Sequence, residues 1–458
     1  MKPIFRKSLV AAATAMLFAA PFSANATNGY FGHGYGTANK GLAGGGVALP
    51  QDAMIAATNP AGMVFVGDRI DAGAALFSPS DRSYEAGSSV TGVPDGAFCG
   101  NACPFTIGGA GGNQSITSSN DFFLIPSFGY NKMLDADSSI GVSVYGNGGM
   151  NTLYKGGQAQ HNNGLGTAVT TPGTFGAGSA GIDLVQLFLT TTYSRKINSK
   201  ASWGASLILA GQRFRAKGLG TFAGFSSDPS KLSSNKHDYS YGVGGKFGVM
   251  GEVTPGVTLA ASYQTKISMG EFDDYAGLFA EKGDFDIPPT ATVGVAWETA
   301  PNSVLTFDVQ YIWYGDIAAI SNPVQGLFTC QPGPTGGTGS TCLGGSNGAG
   351  FGWEDMTIFK VGYQWQSSPE WTWRVGYSYG EQPIPSDQTM FNILAPATVE
   401  SAITFGFTKK MSPTNDLSLA VMYAPNTDVT GANPFDPTQQ IKIEMEQYEV
   451  EASWSWKF

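Results

Sequence analysis

The sequence has few charged residues, few histidines and few cysteines, and each scarcity excludes a class of protein. Charged residues make up 13% of the 458 residues, and the formal net charge is −10 at pH 7. Such a chain lacks the basic stripe that nucleic-acid binding needs, so we expect no nucleic-acid partner. The histidines stand in Gly-rich or polar surroundings, which favours solvent-exposed loop positions for all of them: His33, His161 and His237.

The same scarcity argues against an enzyme. A catalytic nucleophile needs an oriented base within hydrogen-bond reach. His33 precedes the first predicted strand, the other two histidines lie in or beside predicted loops, and no serine stands in a GxSxG-like context. We therefore expect no catalytic residue and no cofactor, and an outer-membrane lipase or protease is the less favoured alternative.

Long apolar runs are missing after the first residues, so the chain offers no membrane-spanning helix, which takes about 20 apolar residues. Residues 2–7 carry the basic side chains of the N-terminus, residues 9–22 are apolar, and residues 24–26 read Ala-Asn-Ala. This pattern is typical of a secretory signal peptide. We predict cleavage after residues 1–26 and a mature start at Thr27; a membrane anchor is the alternative, for which the apolar run is short.

Only four cysteines occur, and they form two close pairs, Cys99 with Cys103 and Cys330 with Cys342. An exported protein meets an oxidising compartment, and each pair brackets a loop. We therefore predict two local disulfides. A metal site built from all four cysteines lacks a CxxC spacing, so we expect no metal.

What the chain has in quantity is alternation with a period of two. The last residues, YEVEASWSWKF at 448–458, place an aliphatic or aromatic side chain at every second position and mostly polar ones between. The same alternation recurs at 257–268, 305–313 and 371–380. One apolar face and one small or polar face are expected when lipid lies outside a barrel and a lumen inside.

The connections between these segments alternate as well. Short turns such as 135–137 and 254–256 are interleaved with long loops such as 80–119, 317–351 and 426–440. Short periplasmic turns and long extracellular loops are typical of outer-membrane barrels, whereas a β-sandwich gives no reason for this pattern. The sequence therefore predicts an all-β, 14-stranded antiparallel transmembrane β-barrel in a Gram-negative outer membrane, in contact with lipid and lipopolysaccharide. The predicted strands span 69–79, 120–131, 138–155, 181–197, 201–215, 239–253, 257–269, 286–298, 303–316, 352–366, 371–382, 397–410, 415–425 and 441–458.

Residues 27–66 precede the barrel and do not alternate. They are rich in Gly and Ala with short apolar clusters, and 43–57 holds enough small and aliphatic residues for a short helix or two. A lumen enclosed by fourteen strands has room for a segment of about forty residues. We predict an N-terminal, partly helical plug at 27–66 inside a barrel at 67–458; a disordered periplasmic tail is the alternative.

These segments resemble one family of outer-membrane proteins. KGLAGGGVAL at 40–49, DAMIAATNPAGM at 52–63 and a first strand beginning DRIDAGAALFSP at 68–79 resemble the FadL/TodX transporters for hydrophobic compounds, and the likeness extends to the C-terminal aromatic residue. The triplet Asn59-Pro60-Ala61 matches the plug signature of that family. The resemblance implies a monomeric barrel with an N-terminal hatch. It also implies diffusive uptake of fatty acids or aromatic hydrocarbons without a periplasmic energy-coupling partner.

The resemblance further implies a sideways exit, through a gap where the third strand kinks inward. The third predicted strand contains Gly146-Asn147-Gly148-Gly149, which interrupts its alternation. Glycines inside a strand weaken it and mark bulges or bends. We expect this run to form the kink, with a plain bulge and no gap as the alternative.

The substrate class stays open between long-chain fatty acids and monoaromatic hydrocarbons, with a porin for hydrophilic solutes as a weaker alternative. Apolar residues in the long loops, among them Phe222, Phe279, Phe391 and Leu394, are candidates for a first capture surface. A fatty acid needs a cationic partner, although pairing with lumen acids such as Asp308 explains a lumen cation equally well. Alternation points four basic residues into the lumen and leaves two at the top of the fifth strand unassigned: Lys246, Lys266, Lys360 and Arg374, and Arg213 and Arg215.

Overall fold

The computed structural model describes residues 28–87, 105–109, 113–162 and 168–458. Within this part of the chain, fourteen long strands form one sheet, and consecutive strands are joined by short turns at one end and long loops at the other. The strands are β1 (Arg69–Ser78), β2 (Phe123–Met133), β3 (Ser138–Asn151), β4 (Gly181–Asn198), β5 (Ala201–Lys217), β6 (Asp238–Thr254), β7 (Val257–Gln264), β8 (Thr290–Ala300), β9 (Ser303–Ile312), β10 (Met356–Ser368), β11 (Trp371–Gly380), β12 (Ser401–Lys410), β13 (Asn415–Asn433) and β14 (Asp436–Lys457).

The sheet closes on itself, because β1 pairs with β2 on one side and with β14 on the other. Each strand pairs antiparallel with its neighbours around the ring. Closure leaves no unpaired sheet edge for lipid to meet. The predicted 14-stranded antiparallel barrel is confirmed.

The alternation in the sequence separates the two faces of the wall. On β14, Tyr448, Val450 and Trp456 are exposed on the outside, whereas Glu449 and Glu451 between them are buried. Aromatic and aliphatic side chains on the outer face are what a hydrocarbon environment selects. The C-terminal stretch is therefore a membrane-crossing strand with its apolar side outward, as the sequence predicts.

Shorter elements fill the lumen and the loops. None of the described helices is long and apolar enough to cross a membrane. The short α-helical segments are α1 (Thr37–Lys40), α2 (Ile55–Thr58), α3 (Ala280–Gly283), α4 (Ala318–Ser321) and α5 (Thr389–Asn392). Turns of 3₁₀ helix span Pro60–Phe65, Gly220–Phe225, Pro229–Lys231, Asp273–Tyr275, Tyr314–Asp316, Val324–Thr329 and Ser386–Gln388. Short strands span Ser83–Gly87, Phe105–Ile107, Gln114–Thr117, Gln158–Asn162, Ala168–Pro172 and Ser268–Met269.

One predicted loop is wrong. Residues 426–440 are not a long loop, because β13 continues to Asn433 and β14 begins at Asp436, so the two strands form a tall hairpin. The strand Ser83–Gly87 pairs with this extension of β14 and carries the sheet beyond the membrane. A strand with polar residues on both faces shows no apolar alternation, so the sequence pattern does not reveal it.

The segment before β1 lies inside the barrel. The Lys40 ammonium of α1 contacts the carboxylates of Glu449 and Glu451 on the inner face of β14, with Nζ–O distances of 2.7 and 2.6 Å. On the opposite side, the backbone N–H groups of Gly46 and Val47 donate to Asp308 Oδ2 on β9, at 2.7 and 2.8 Å. The segment is a partly helical plug fastened to the wall, as predicted.

Candidate functional site

The hydrogen bonding of the barrel wall is interrupted beside the glycine run of β3. The β3–β4 register shifts between Gly146 and Gly148, which marks a bulge. The β2–β3 ladder ends where Ser127 faces Tyr145, and within the described residues no β2–β3 pairing continues above that point. The Ile125 side chain lies against Gly146, so side chains still meet where the ladder stops. We call the interruption between 123–126 of β2 and 146–151 of β3 the wall opening.

The plug supplies the hydrogen bonds that β2 does not. The backbone N–H of Gly149 donates to the carbonyl oxygen of Tyr30 at 2.9 Å, and the N–H of Gly32 donates to the carbonyl oxygen of Asn147 at 3.0 Å. A side chain at Gly148 would collide with the Tyr30 carbonyl. The glycine run thus lets the first plug residues replace β2 as the partner of β3, which satisfies backbone groups that are costly to leave unpaired in a membrane.

Contacts above the wall opening limit its height. The Asn120 Nδ2 amide donates to Asn151 Oδ1 at 2.8 Å, and the backbone N–H of Leu153 donates to Ser118 Oγ at 3.0 Å. Pro126 on β2 has no backbone N–H, so β2 has one hydrogen-bond donor fewer where its pairing with β3 is interrupted. The interruption is consequently short, with hydrogen bonds between the two segments above and below it.

An apolar cavity of about 30 Å³ lies directly inside the wall opening, and we call it the inner cavity. Phe123 from β2 and residues 149–151 from β3 form its outer side, and Gly29 of the plug borders it. A hydrophobic molecule in this space would contact both the lumen and the gap in the wall. The remaining lining residues are Phe77, Pro79, Arg82, Trp353, Leu394, Ala395, Pro396, Ala397 and Met445.

The inner cavity contains one buried cation, Arg82, which the sequence analysis did not select. Its Nε donates to the Pro79 carbonyl at 3.0 Å, and its Cζ lies 5.7 Å from the Phe123 ring centroid. The side chain is 3% exposed, and Nη2 has no hydrogen-bond partner in the described residues. Burial lowers the pKa of Arg82 to about 10, so the guanidinium stays charged at neutral pH. The sequence feature that could have indicated this residue is an arginine shortly after the first strand.

A second apolar cavity, of about 30 Å³, is formed mainly by the long loops, and we call it the outer cavity. It is lined by Phe222, Phe279 and Phe391, which the sequence marks as capture residues, and by Leu394. Leu394 also lines the inner cavity, so the two spaces adjoin. Leu394 therefore lies between an apolar cavity of the loops and an apolar cavity beside the wall opening.

Three of the predicted carboxylate partners hold the plug instead of facing the apolar cavities. Lys246 Nζ donates to the Ala57 carbonyl, and Lys360 Nζ donates to the His33 carbonyl at 3.0 Å. Arg374 Nε donates to Gln51 Oε1 at 2.8 Å. These contacts place the three cations in the lumen at the plug surface.

The other basic candidates do not contact the plug in the part of the chain that the structure describes. Arg213 and Arg215 alternate along β5 with Phe214, whose ring is buried, so both face the outer wall. Arg213 Nη2 lies 3.1 Å from Asp183 Oδ2, and Lys266 Nζ lies 2.6 Å from an Asp286 carboxylate oxygen. The structure therefore does not bring the predicted cations to one ligand site.

The Asn59-Pro60-Ala61 triplet fastens the plug to the wall. Asn59 Oδ1 accepts the backbone N–H of Ala61 at 3.0 Å, and Asn59 Nδ2 donates to the Val47 carbonyl at 2.9 Å. Pro60 is the first residue of the 3₁₀ turn. The Ala61 carbonyl accepts hydroxyl hydrogen bonds from two wall residues, Ser194 at 3.0 Å and Ser202 at 2.7 Å.

Some of the predictions for the cysteines and histidines are confirmed and others are wrong. Cys330 and Cys342 are disulfide-bonded in the loop between β9 and β10, as predicted. Cys99 and Cys103 lie outside the described residues. The expectation of an exposed His33 is wrong, because the residue is 2% exposed inside the plug. The other two histidines are half-buried: His161, bonded to Thr171, and His237, bonded to Asp183.

Comparisons with known proteins agree with this architecture. The family described as outer membrane protein transport protein (OMPP1/FadL/TodX) matches residues 10–454. The toluene transporter TodX of Pseudomonas putida is 18% identical with a TM-score of 0.62, and the likeness covers 93% of this chain and 99% of that one. A Pseudomonas aeruginosa FadL homologue is 14% identical with a TM-score of 0.62, covering 94% and 100%. No protein with a curated description matches the chain.

A transport role, and not an enzymatic one, follows from the family. The match spans nearly the whole chain, and the closed barrel with its inserted plug has the fold of the solved transporters. The chain therefore belongs to the OMPP1/FadL/TodX family of outer-membrane transport proteins, whose channels carry hydrophobic compounds.

Proposed function

We propose that this channel takes up long-chain fatty acids by diffusion and releases them sideways through the wall opening. The observation that carries the proposal is the buried guanidinium of Arg82, whose Nη2 has no hydrogen-bond partner in the described residues, in an apolar cavity beside that opening. The cavity supplies contacts for an acyl chain, and Arg82 supplies a partner for a carboxylate.

The energetics of Arg82 support a carboxylate ligand. A buried charge is unfavourable unless an opposite charge contacts it. Asp121 attracts Arg82 from a distance, but no ion pair of Arg82 occurs in the described residues. A carboxylate accepts charge-assisted hydrogen bonds from a guanidinium in a geometry that fits both groups. The acyl tail would meanwhile replace water against Phe77, Trp353 and Leu394.

The route follows from the order of the cavities. A ligand captured in the outer cavity passes Leu394 into the inner cavity and then meets the wall opening at Phe123 and residues 149–151. In this proposal the run Gly146-Asn147-Gly148-Gly149 is the exit. A sideways exit avoids the aqueous periplasm, because the solute moves from an apolar cavity into an apolar bilayer.

Monoaromatic hydrocarbons are the second candidate substrate. TodX is described as a toluene transporter, and CymD, 15% identical with a TM-score of 0.55, as a monoaromatic hydrocarbon channel. A neutral hydrocarbon would use the same two cavities and would leave Arg82 without a role. A porin for hydrophilic solutes is supported less, because the plug lies in the lumen and its contacts reach opposite walls.

The substrate classes separate in one binding experiment. Oleate and toluene binding is measured on the purified wild type, on Arg82→Met and on Arg213→Met, and uptake of each labelled compound is measured in cells. Arg213→Met is the matched control, because Arg213 faces the outer wall beside Asp183. We expect Arg82→Met to weaken oleate binding by about 30-fold or more, since truncating one partner of a buried charge pair costs about 2 kcal/mol or more.

Toluene binding should be the same in all three proteins, and Arg213→Met should bind oleate like the wild type. Wild-type oleate affinity in Arg82→Met would show that the arginine does not meet the carboxylate. Uptake of toluene without uptake of oleate would assign the channel to hydrocarbons.

The same proposal includes expectations about export, oligomeric state, the surrounding lipid and the second disulfide. Removal of residues 1–26 on export leaves the plug at 27–66 and the barrel at 67–458. The protein acts as a monomer, and lipopolysaccharide surrounds its outer end. Mass spectrometry of non-reduced peptides tests the second disulfide, for which Cys99 and Cys103 are the expected partners.

A further inference from the structure

A polar cavity of about 30 Å³ lies between the plug and the wall strands, and we call it the plug cavity. His33 lies on the plug side, and Lys246, Gln264 and Lys360 lie on β6, β7 and β10. None of the residues that line it is an aspartate or a glutamate. The cavity thus contains two ammonium groups without a lining carboxylate.

Several buried polar groups of this cavity have no hydrogen-bond partner in the described residues. An ammonium group has three N–H donors. Lys246 bonds to the Ala57 carbonyl and Lys360 to the His33 carbonyl, and neither forms an ion pair within the described residues. His33 Nε2 and Gln264 Nε2 have no partner there, and all four side chains are at most 6% exposed. Buried polar groups are almost always hydrogen-bonded, so this set indicates a missing acceptor.

The nearest carboxylate, Asp308, faces Lys360 across the β9–β10 ladder but does not line the cavity. Its Oδ2 accepts the plug N–H groups of Gly46 and Val47, its Oδ1 has no hydrogen-bond partner in the described residues, and it attracts Lys360 without forming an ion pair with it there. Lys40 adds positive charge on the far side of His33 but is itself paired with β14 carboxylates. The field in the cavity is positive, and a low dielectric strengthens its effect on an anion.

We propose that the plug cavity binds one small inorganic anion with the size and charge of chloride, between Lys246, Lys360 and Gln264. The anion supplies the acceptor that these donors lack and neutralises part of their charge. Because His33 borders the same space from the plug side, the bound anion ties the plug to the wall. The site is separate from the two apolar cavities and goes beyond the proposed uptake function.

Bromide tests the site directly, because its anomalous scattering distinguishes it from water. The full mature chain is crystallised in sodium bromide, and anomalous density is measured for the wild type, Lys246→Met and Lys266→Met. We expect one bromide between Lys246 Nζ and Lys360 Nζ in the wild type and its loss in Lys246→Met. Lys266→Met is the control and should keep the ion, because Lys266 pairs with Asp286 away from the cavity.

A solution measurement covers variants that crystallise poorly. Hydrogen exchange of plug amides 43–58 is compared in sodium chloride and in sodium gluconate at equal ionic strength. A bound anion stabilises the docked plug by mass action, so exchange should be slower in chloride by about tenfold at a chloride concentration near ten times its dissociation constant. The difference should vanish in Lys246→Met and in Lys360→Met and persist in Lys266→Met.

Two results would overturn the proposal. One is a wild-type cavity that contains water alone while bromide occupies only surface positions. The other is displacement of the bromide by octanoate, which would make the cavity a substrate carboxylate site. Failure here is distinguishable from failure of the uptake proposal, because Arg82→Met alters the inner cavity and leaves Lys246 and Lys360 in place.

Discussion

Single charged side chains fasten the plug across the lumen, and Lys40 is the clearest case. Alternation along the last strand predicts that Glu449 and Glu451 face inward, and they do. It does not predict their partner, because Lys40 lies about 400 positions earlier in a segment without periodicity. The face of a residue follows from its own strand, whereas a pairing across the lumen depends on the closed barrel.

Asn59 gives a residue prediction for plug docking. Asn59→Ala removes the acceptor of the Ala61 N–H and the donor to the Val47 carbonyl, both in a fully buried place. Loss of a capping side chain and of a buried hydrogen bond costs about 2 kcal/mol. We expect plug amides at 47–66 to exchange about 10- to 30-fold faster and ligand uptake to fall, while the barrel keeps its heat-modifiable migration.

Pro60→Ala is the comparison variant, because it relaxes the backbone but leaves both Asn59 hydrogen bonds available. Its exchange rates should lie between those of the wild type and Asn59→Ala. Unchanged exchange and uptake in Asn59→Ala would show that the triplet neither holds the plug nor serves transport.

Asp284, in an extracellular loop, gives a prediction for pH. Burial, followed by the negative charges of Asp286 and Glu281, raises the pKa of Asp284 to about 6. A carboxyl with a raised pKa binds its proton more tightly in the folded loop, so the loop gains stability as pH falls from 7 to about 5. After correction for intrinsic rates, amides 280–287 should exchange more slowly at the lower pH.

Asp284→Asn should remove this pH dependence and slow exchange at pH 7, because it removes the charge. Glu271→Gln, which changes an exposed carboxylate in the same loop, serves as the control and should keep the dependence. A loop that loses stability on acidification would contradict the assignment.

Among the elements, strand β3 shows where the sequence suffices and where it does not. The glycine run at 146–149 predicts an irregularity, and the register shift lies there. The sequence does not show that residues 30–32 of the plug take over the hydrogen bonds of the freed strand. The upper hairpin of β13 and β14 was missed because its strands pair with each other while carrying polar residues on both faces, so no apolar alternation marks them.

Gly148 gives the prediction for this element. A valine there would collide with the Tyr30 carbonyl and favour a regular strand, so Gly148→Val should displace the first plug residues and bring β3 toward β2. We expect oleate to bind from outside with little change while delivery to the cell falls at least about tenfold. Binding and uptake are measured on the same protein.

Gly245→Val is the matched control, because a side chain at this β6 glycine meets only ordinary van der Waals contacts. It should bind and deliver oleate like the wild type. Full delivery by a Gly148→Val protein whose wall is shown to be closed would exclude the sideways exit and favour passage through the plug.

Considered as a whole, the molecule combines a wall that closes without the plug and a lumen that the plug fills. The inter-strand ladders of the barrel run between residues 69 and 457, so none of them needs residues 28–66. The plug nevertheless contributes partners for charges on several strands, among them Glu449, Asp308 and Lys246. The ladders of the barrel and the contacts of the plug are thereby separated along the chain.

Deletion of residues 28–66, with the leader retained, tests this separation. The ladders remain, so the barrel should assemble and migrate in its folded form. Its thermal stability should fall, because the lumen carboxylates and ammoniums lose their plug partners, although water entering the emptied lumen would solvate them and limit the loss.

In planar bilayers the deletion variant should conduct ions readily, whereas the wild type should conduct at least about tenfold less, since a fourteen-stranded lumen is wide only when empty. Asn59→Ala, which loosens the plug without removing it, should conduct at an intermediate level. Equal conductance of the wild type and the deletion would mean that the plug does not block the lumen, and a porin for hydrophilic solutes would then be the better assignment.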